Sequence, residues 1–156
     1  MTSNITSSMT SSKTNGTILL VEDNEDDAEL MRRAFKRANF TNPVVVAADG
    51  AKALDMLFGE GGFASSNGVL PAMMILDLNL PKVSGLDVLR RVRGEPRTRH
   101  LPVVVMTTSV EDDDVSNSYA RGANAYVRKP MEFEQFVESA TRLGLFWLHT
   151  NVMPPR

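Results

Sequence analysis

Short, mainly apolar runs alternate along this chain with segments whose apolar residues recur every three or four positions. Each run is four or five residues long and is followed by polar, charged or turn-forming residues. A run of this kind is typical of a strand buried on both faces, as in a parallel sheet covered by helices. The runs that predict strands are residues 17–21, 44–47, 72–76, 103–106 and 123–127.

The segments between and after these runs predict five helices. Residues 25–38 show helical spacing, with acids first and bases last, as the helix dipole prefers. Ser84 is predicted to cap the third helix. The fourth helix opens with the acids of residues 111–114, is weakly amphipathic, and has Val115 and Tyr119 as its predicted inward contacts. The predicted helices are 25–38, 51–58, the segment after Ser84 with Leu86, Leu89 and Val92 inward, 111–122, and 132–145.

A strand–helix alternation repeated five times predicts an α/β fold. We expect a doubly wound parallel sheet with helices on both faces and right-handed crossovers. Residues 1–16, rich in Ser, Thr and Asn, are expected to form a disordered tail. Residues 17–146 are then one domain, and residues 147–156 are a C-terminal extension.

Composition narrows the function classes. The chain has 156 residues, no cysteine, two histidines and a net charge of −2. These features argue against a thiol nucleophile, a His-rich zinc site and non-specific binding of nucleic acid. No apolar run approaches the roughly 18 residues of a membrane span, and residues 1–16 lack the apolar core of a signal peptide. We therefore expect a cytoplasmic protein without membrane or direct nucleic-acid contacts.

Chemistry-bearing side chains follow four of the five strands. The first strand is followed by Glu22 and Asp23, the third by Asp77, the fourth by Thr107 and the fifth by Lys129. Ligands bind at the carboxyl ends of strands in such sheets. Clustered carboxylates repel one another unless a cation lies among them, and Mg²⁺ prefers such oxygen ligands. A hydroxyl and an ammonium opposite the metal would suit a phosphoryl group, and a carboxylate can form an aspartyl-phosphate.

Taken singly, most of these residues have a plainer interpretation. Thr107 could cap the next helix, Lys129 could be a solvated surface lysine, and Glu22 with Asp23 could supply helix-capping charge. Asp77 is harder to explain this way, because an unpaired charge beside a buried strand is costly. The occurrence of all of them at strand ends favours a site.

At these residues the chain resembles the receiver domain of two-component response regulators. The resemblance covers about residues 17–145 and implies a flavodoxin-like (βα)5 fold with strand order 2-1-3-4-5. It also implies that the protein is a switch rather than an enzyme. The motifs that carry it are Val21-Glu22-Asp23-Asn24, Leu76-Asp77-Leu78-Asn79-Leu80-Pro81 with Gly85, Met106-Thr107-Thr108, and Tyr126-Val127-Arg128-Lys129-Pro130.

The resemblance also implies roles for individual residues. Asp77 would be the phosphoacceptor, receiving its phosphoryl group from a sensor histidine kinase. The metal ligands would be Asp23, Asp77, the backbone carbonyl of Asn79 and, through water, Glu22. Thr107 and Lys129 would hold the phosphoryl oxygens. Tyr126 would turn inward with Thr107 and change the face formed by the fourth helix, fifth strand and fifth helix. Lys129-Pro130 would be a cis peptide.

A narrower resemblance is to the small response regulators of bacterial phytochromes. It rests on the Asp-Leu-Asn-Leu-Pro run, on Thr107-Thr108-Ser109 and on Phe146-Trp147-Leu148. It implies a phytochrome kinase as partner and a homodimer through the fourth-helix face and the C-terminal extension. The same aromatic segment could instead close over the protein's own core. The chain ends where a DNA-binding domain would begin, so the expected output is either protein–protein contact or transfer of the phosphoryl group onward.

Two kinds of enzyme and one kind of binding protein are the alternatives to a phosphorylated receiver. A phosphatase of the haloacid-dehalogenase type needs Asp-x-Asp after the first strand, where this chain has Glu22-Asp23-Asn24, and a toprim nuclease would need a second acid at Asn79. Both patterns fail. A pseudo-receiver that binds partners without being phosphorylated stays open, although the intact set of Asp23, Asp77, Thr107 and Lys129 argues against it.

Overall fold

The structure is a computed structural model, and it describes residues 16–66 and 68–154. The predicted disordered tail lies outside these residues except for Gly16. Within the described ranges, no helix is both long enough and apolar enough to cross a membrane.

Five parallel strands form one sheet in the order β2-β1-β3-β4-β5, which confirms the predicted fold and strand order. The strands in the middle of this order are wholly buried, whereas those at the two edges are only partly covered. This burial explains why the central runs are continuously apolar. The strands are β1 (Ile18–Val21), β2 (Val44–Ala47), β3 (Met73–Leu76), β4 (Val103–Thr107) and β5 (Ala125–Arg128).

Five helices alternate with the strands, and side-chain caps begin the first three. Asn24, Asp49 and Ser84 each accept a hydrogen bond from a backbone N–H in the following turn, which satisfies an otherwise orphaned donor. The capping role predicted for Ser84 is therefore confirmed. The helices are α1 (Glu25–Arg37), α2 (Gly50–Phe58), α3 (Gly85–Gly94), α4 (Asp112–Ala120) and α5 (Phe133–Leu143).

Alternate side chains along the strands enter two separate cores. Leu19 and Val21 of β1 face α2 and α3, while Ile18 and Leu20 face α1 and α5. The same alternation runs through β3 and β4, so each sheet face is covered by helices. This arrangement is the doubly wound packing expected from the sequence.

Helix α4 buries a different face from the one predicted. Ser118 is its fully buried residue and Val115 is half-buried, but Tyr119 is 50 % exposed. Val115 and Ser118 lie three residues apart and share one face, and Tyr119 follows about 100° further round the helix. The inward contact predicted for Tyr119 is wrong because this acidic helix has too few apolar residues to define its buried face.

The C-terminal segment divides between core and surface. Helix α5 continues into a π-helical stretch, Gly144–Thr150, whose Trp147 and Leu148 pack against the core shared with α1 and α5. Phe146 remains 47 % exposed. Gly144 meets the ring of Phe40, where an added Cβ would lie 2.3 Å from a ring carbon, so only glycine allows this approach. The aromatic segment is therefore partly core and partly surface.

Arg93 holds together the loops at the amino-terminal ends of β4 and β5. Its guanidinium donates to the carbonyls of Gly122 (2.9 Å), Leu101 (2.8 Å) and Arg99 (3.2 Å) and to Oδ1 of Asn124 (2.8 Å). Asn124 Oδ1 also accepts from the backbone N–H at the start of β4 (2.7 Å). All of these acceptors are neutral, and burial lowers the pKa of Arg93.

Arg93→Lys is expected to lower the free energy of unfolding by about 2–3 kcal/mol, because an ammonium cannot span acceptors arranged for a guanidinium fork. Urea denaturation followed by circular dichroism measures this. Arg90→Lys is the matched control, since Arg90 is 71 % exposed and makes only a loose pair with Asp87. Equal stability of the two variants would show that the Arg93 network contributes nothing measurable.

Candidate functional site

The carboxyl ends of β1 and β3 meet at one edge of the sheet. The backbone N–H of Asp77 donates to the carbonyl of Val21 (3.1 Å), so the pairing continues past the strands to the acidic residues. Gly85 brings the start of α3 against this edge, since an added Cβ would lie 2.3 Å from the carbonyl oxygen of Asp77. Glu22 and Asp77 are thereby fixed side by side.

A buried lysine lies among the carboxylates. Lys129 Nζ is 2.8 Å from Glu22 Oε1 and 3.0 Å from Asp77 Oδ2, and none of these three side chains is more than 9 % exposed. The interpretation of Lys129 as a solvated surface residue is therefore wrong. Glu22 does not cap α1 either, because Asn24 does. The peptide between Lys129 and Pro130 is trans, so the expected cis peptide is wrong.

A third carboxylate contacts Lys129, and the sequence did not predict this contact. Asp27 Oδ2 lies 3.1 Å from Lys129 Nζ, although 102 residues separate them in the chain. Asp27 is the third of three acids in the first turn of α1. The sequence signalled only that α1 begins directly after Glu22 and Asp23, so that its first turn lies beside the site. It did not indicate which of the three acids turns inward.

Backbone donors orient two of the carboxylates. The N–H of Asn24 donates to Glu22 Oε2 (3.1 Å), and the N–H of Asn79 donates to Asp77 Oδ1 (3.2 Å). Each of these carboxylates therefore has one oxygen toward the lysine and the other toward a loop amide. Such fixed hydrogen bonds hold the two side chains in position.

Three of the predicted residues form a group that could hold a cation. Carboxylate oxygens of Glu22, Asp23 and Asp77 all lie within 4.8 Å of one another, and Asp23 is exposed to solvent. Oxygen donors of this kind suit a hard divalent cation that keeps some of its waters. The residues present therefore fit a divalent metal ion.

Thr107 ends β4 with a fully buried side chain whose Oγ1 has no hydrogen-bond partner among the described residues. It does not cap α4, because Glu111 occupies that position. Leaving a buried hydroxyl unpaired costs free energy. A ligand oxygen arriving at this edge of the sheet would supply the missing partner.

Tyr126 of β5 links the loop after Thr107 to the rest of the molecule. Its hydroxyl donates to the backbone carbonyl of Ser109 (2.8 Å), and Ser109 Oγ donates to Asp114 Oδ2 in α4 (2.5 Å). Burial of the phenol raises the pKa of Tyr126. A displacement of this loop is thus coupled to both β5 and α4.

Burial and ion pairing shift the pKa values at the centre of the site. Burial raises the pKa of Glu22 to about 7, and this effect outweighs the hydrogen bonds from Lys129 and Asn24. For Lys129, burial alone would lower the pKa, but hydrogen bonds to Glu22 and Asp77 raise it above its ordinary value. The lysine is therefore charged at neutral pH, while Glu22 is close to its midpoint.

The fold and site together define a class of protein. A doubly wound sheet whose carboxyl edge presents a lysine-bound acidic cluster and an unpaired hydroxyl has the features of a signalling receiver. Comparison with known proteins gives the same class, since the sequence matches the family model of the response regulator receiver domain over residues 18–141. The chain belongs to this family, which acts as a signalling switch.

Individual relatives match this chain over most of its length. The probable methanogenesis regulatory protein FilR2 of Methanothrix harundinacea is 44 % identical over 138 residues, which is 88 % of this chain and 86 % of FilR2. The structure of the phosphorylated cyanobacterial phytochrome response regulator RcpA is 37 % identical, with a TM-score of 0.80 over 90 % of this chain and 99 % of that one. The Mn²⁺-bound form of response regulator Rcp1, a Synechocystis protein, is 34 % identical, with a TM-score of 0.78 and the same coverage. This chain is therefore similar to phytochrome response regulators.

Affinity for Mg²⁺ should fall as the pH falls through about 7, because Glu22 must lose its proton before it can help to hold a cation. We expect about a tenfold loss between pH 8 and pH 6, which is the effect of one proton with this pKa. Isothermal titration calorimetry at several pH values measures it. Glu22→Gln should bind more weakly and with a flatter pH profile. A wild-type profile as flat as that of the variant would contradict this role of Glu22.

Proposed function

We propose that Asp77 accepts a phosphoryl group from a phosphohistidine of a sensor histidine kinase and that this modification switches protein contacts. The observation that carries the proposal is the pairing of Asp77 with the buried ammonium of Lys129, 3.0 Å away. The unpaired hydroxyl of Thr107, at the end of the neighbouring strand, supports it. Together these residues offer a nucleophile and two donors for phosphoryl oxygens.

The transfer follows from the charges of these residues. An Asp77 carboxylate oxygen attacks phosphorus with its lone pair, and the phosphorus–nitrogen bond breaks with its electrons remaining on the imidazole nitrogen. A carboxylate is a nucleophile without the help of another group, so no general base is needed. Lys129 and Thr107 then hold phosphoryl oxygens. A bound divalent cation would supply further positive charge to the remaining oxygens.

We propose Mg²⁺ as the physiological cation. Asp23, Asp77 and the backbone carbonyl of Asn79 would be direct ligands, and Glu22 would act through water. The oxygen-only donor set supports this assignment, and so does the existence of a Mn²⁺-bound form of Rcp1.

The switch would pass from Thr107 to the face formed by α4, β5 and α5. Movement of Thr107 toward a phosphoryl group displaces the loop that carries Ser109. The hydrogen bonds from Tyr126 to the Ser109 carbonyl and from Ser109 to Asp114 connect this loop to β5 and α4. Tyr126 would turn further inward as the loop moves, which changes the surface that partners meet.

The proposed upstream partner is a cytoplasmic histidine kinase of the phytochrome class. The similarity to RcpA supports that partner. The proposed output is protein contact, including a homodimer through the α4–β5–α5 face and the C-terminal segment. Exposed apolar side chains on these elements, among them Tyr119 and Phe146, are suited to a protein interface.

Incubation with acetyl phosphate should add one phosphoryl group to the intact protein, only in the presence of Mg²⁺. Asp77→Asn should remove this product completely, because the amide is not a nucleophile. Intact-protein mass spectrometry measures both. Asp87→Asn, an exposed acid on α3, is the control and should behave as wild type. A folded wild-type protein whose mass never changes would instead favour a pseudo-receiver.

Phosphorylation should promote dimer formation, and Phe146→Glu should weaken the dimer about tenfold or more by placing a charge in an apolar contact. Sedimentation velocity of the phosphorylated protein measures the change. Glu29→Gln, at an exposed acid of α1 outside the proposed face, provides a control substitution. Unchanged association of Phe146→Glu would exclude this side chain from the interface.

A further inference from the structure

We propose that Asp27 is a positioning residue that holds Lys129 in the unphosphorylated state and must release it when a phosphoryl group arrives. This inference rests on the proposed phosphorylation of Asp77. It assigns to Asp27 control over the equilibrium between the two states of the site.

The hydrogen-bonding capacity of Lys129 limits how many groups its ammonium can hold. An ammonium group has three N–H donors. In the structure three different carboxylates lie within 3.1 Å of Lys129 Nζ, those of Glu22, Asp27 and Asp77. The ammonium is therefore crowded by carboxylates on three sides, and a phosphoryl oxygen that reaches it displaces one of them.

The solvent exposure of the three carboxylates indicates which of them Lys129 releases. The side chains of Glu22 and Asp77 are each 6 % exposed, whereas that of Asp27 is 27 % exposed. A released Asp27 can hydrogen-bond to water, but a released Glu22 would stay buried and unpaired. Asp77 stays beside the lysine, because it is the residue that carries the phosphoryl group. Asp27 is thus the partner that the lysine loses at least cost.

The charge of Asp27 acts in the same direction. It shares Lys129 Nζ with Asp77, so its carboxylate lies close to the place where a phosphoryl group adds further negative charge. Like charges at short range disfavour each other. Removing the charge of Asp27 should therefore favour the phosphorylated state both by freeing the lysine and by reducing repulsion.

The test uses beryllofluoride, a mimic of the phosphoryl group, at saturating Mg²⁺. Asp27→Asn should bind it about five- to thirtyfold more tightly than wild type, the effect of losing one partly buried charge pair. Asp26→Asn is the matched control, because Asp26 is exposed on the same turn of α1. It should bind within about twofold of wild type, since only its distant charge is removed.

A double-mutant cycle shows whether the effect passes through the lysine. In a Lys129→Met background, Asp27→Asn should raise beryllofluoride affinity by a clearly smaller factor than it does with Lys129 present, because no ammonium remains to be released and only the repulsion is reduced. A second measurement needs neither metal nor beryllofluoride. Nuclear magnetic resonance of the ¹⁵N-labelled Lys129 ammonium should show faster exchange of its protons with water in Asp27→Asn than in wild type, even if the Lys129 variant does not fold.

The outcomes separate this inference from the function on which it rests. If wild type binds no beryllofluoride with Mg²⁺ present, the proposed phosphoacceptor function is wrong. If wild type binds it and Asp27→Asn has the same affinity and the same proton exchange, the role of Asp27 alone is overturned. An equal gain of affinity in Asp27→Asn and Asp26→Asn, or an undiminished gain in the Lys129→Met background, would also overturn it.

Discussion

The site depends on one buried ammonium placed among carboxylates. Glu22, Asp27 and Asp77 each contact Lys129, and without its charge they would repel one another in a poorly solvated space. Removing a single member of such a buried group is costly, because the charges left behind are uncompensated. The lysine therefore makes the acidic cluster compatible with folding, and in the proposed function it would also hold a phosphoryl oxygen.

The sheet places these groups together through the ordinary geometry of parallel strands. Four- and five-residue strands in matched register end at the same edge, and every residue that follows a strand is delivered there. The opposite edge has its own cation, Arg93, which contacts only neutral acceptors in the loops before β4 and β5. Arg93 fixes those loops. The carboxyl edge, in contrast, has crowded charges and a Thr107 hydroxyl without a partner among the described residues, features that a purely structural region would avoid.

Hydrogen bonds also connect the carboxyl edge of the sheet to elements at the protein surface. The loop after Thr107 is tied to β5 by Tyr126 and to α4 by Asp114, so a change at the strand end reaches elements with exposed side chains. The partly exposed C-terminal segment adds an apolar side chain, Phe146, to the surface beyond α5.

The amino-acid sequence by itself determined the fold and the identity of the residues at the strand ends. Apolar runs and turn residues define local elements, and parallel pairing then places Glu22, Asp77, Thr107 and Lys129 at one edge. These signals are local, or follow from the sheet as a whole, and both can be read along the chain. The resemblance to receivers supplied the strand order.

Only the tertiary structure decided which side chain of a uniform segment points inward. Three consecutive acids begin α1, and packing against the sheet turns the third, Asp27, toward Lys129. The weak periodicity of α4 left Tyr119 outside, and the π-helical stretch after α5 placed Trp147 against the core and Phe146 at the surface. In each case the outcome depends on the rotation of a helix against its neighbours, which long-range contacts set and local sequence does not.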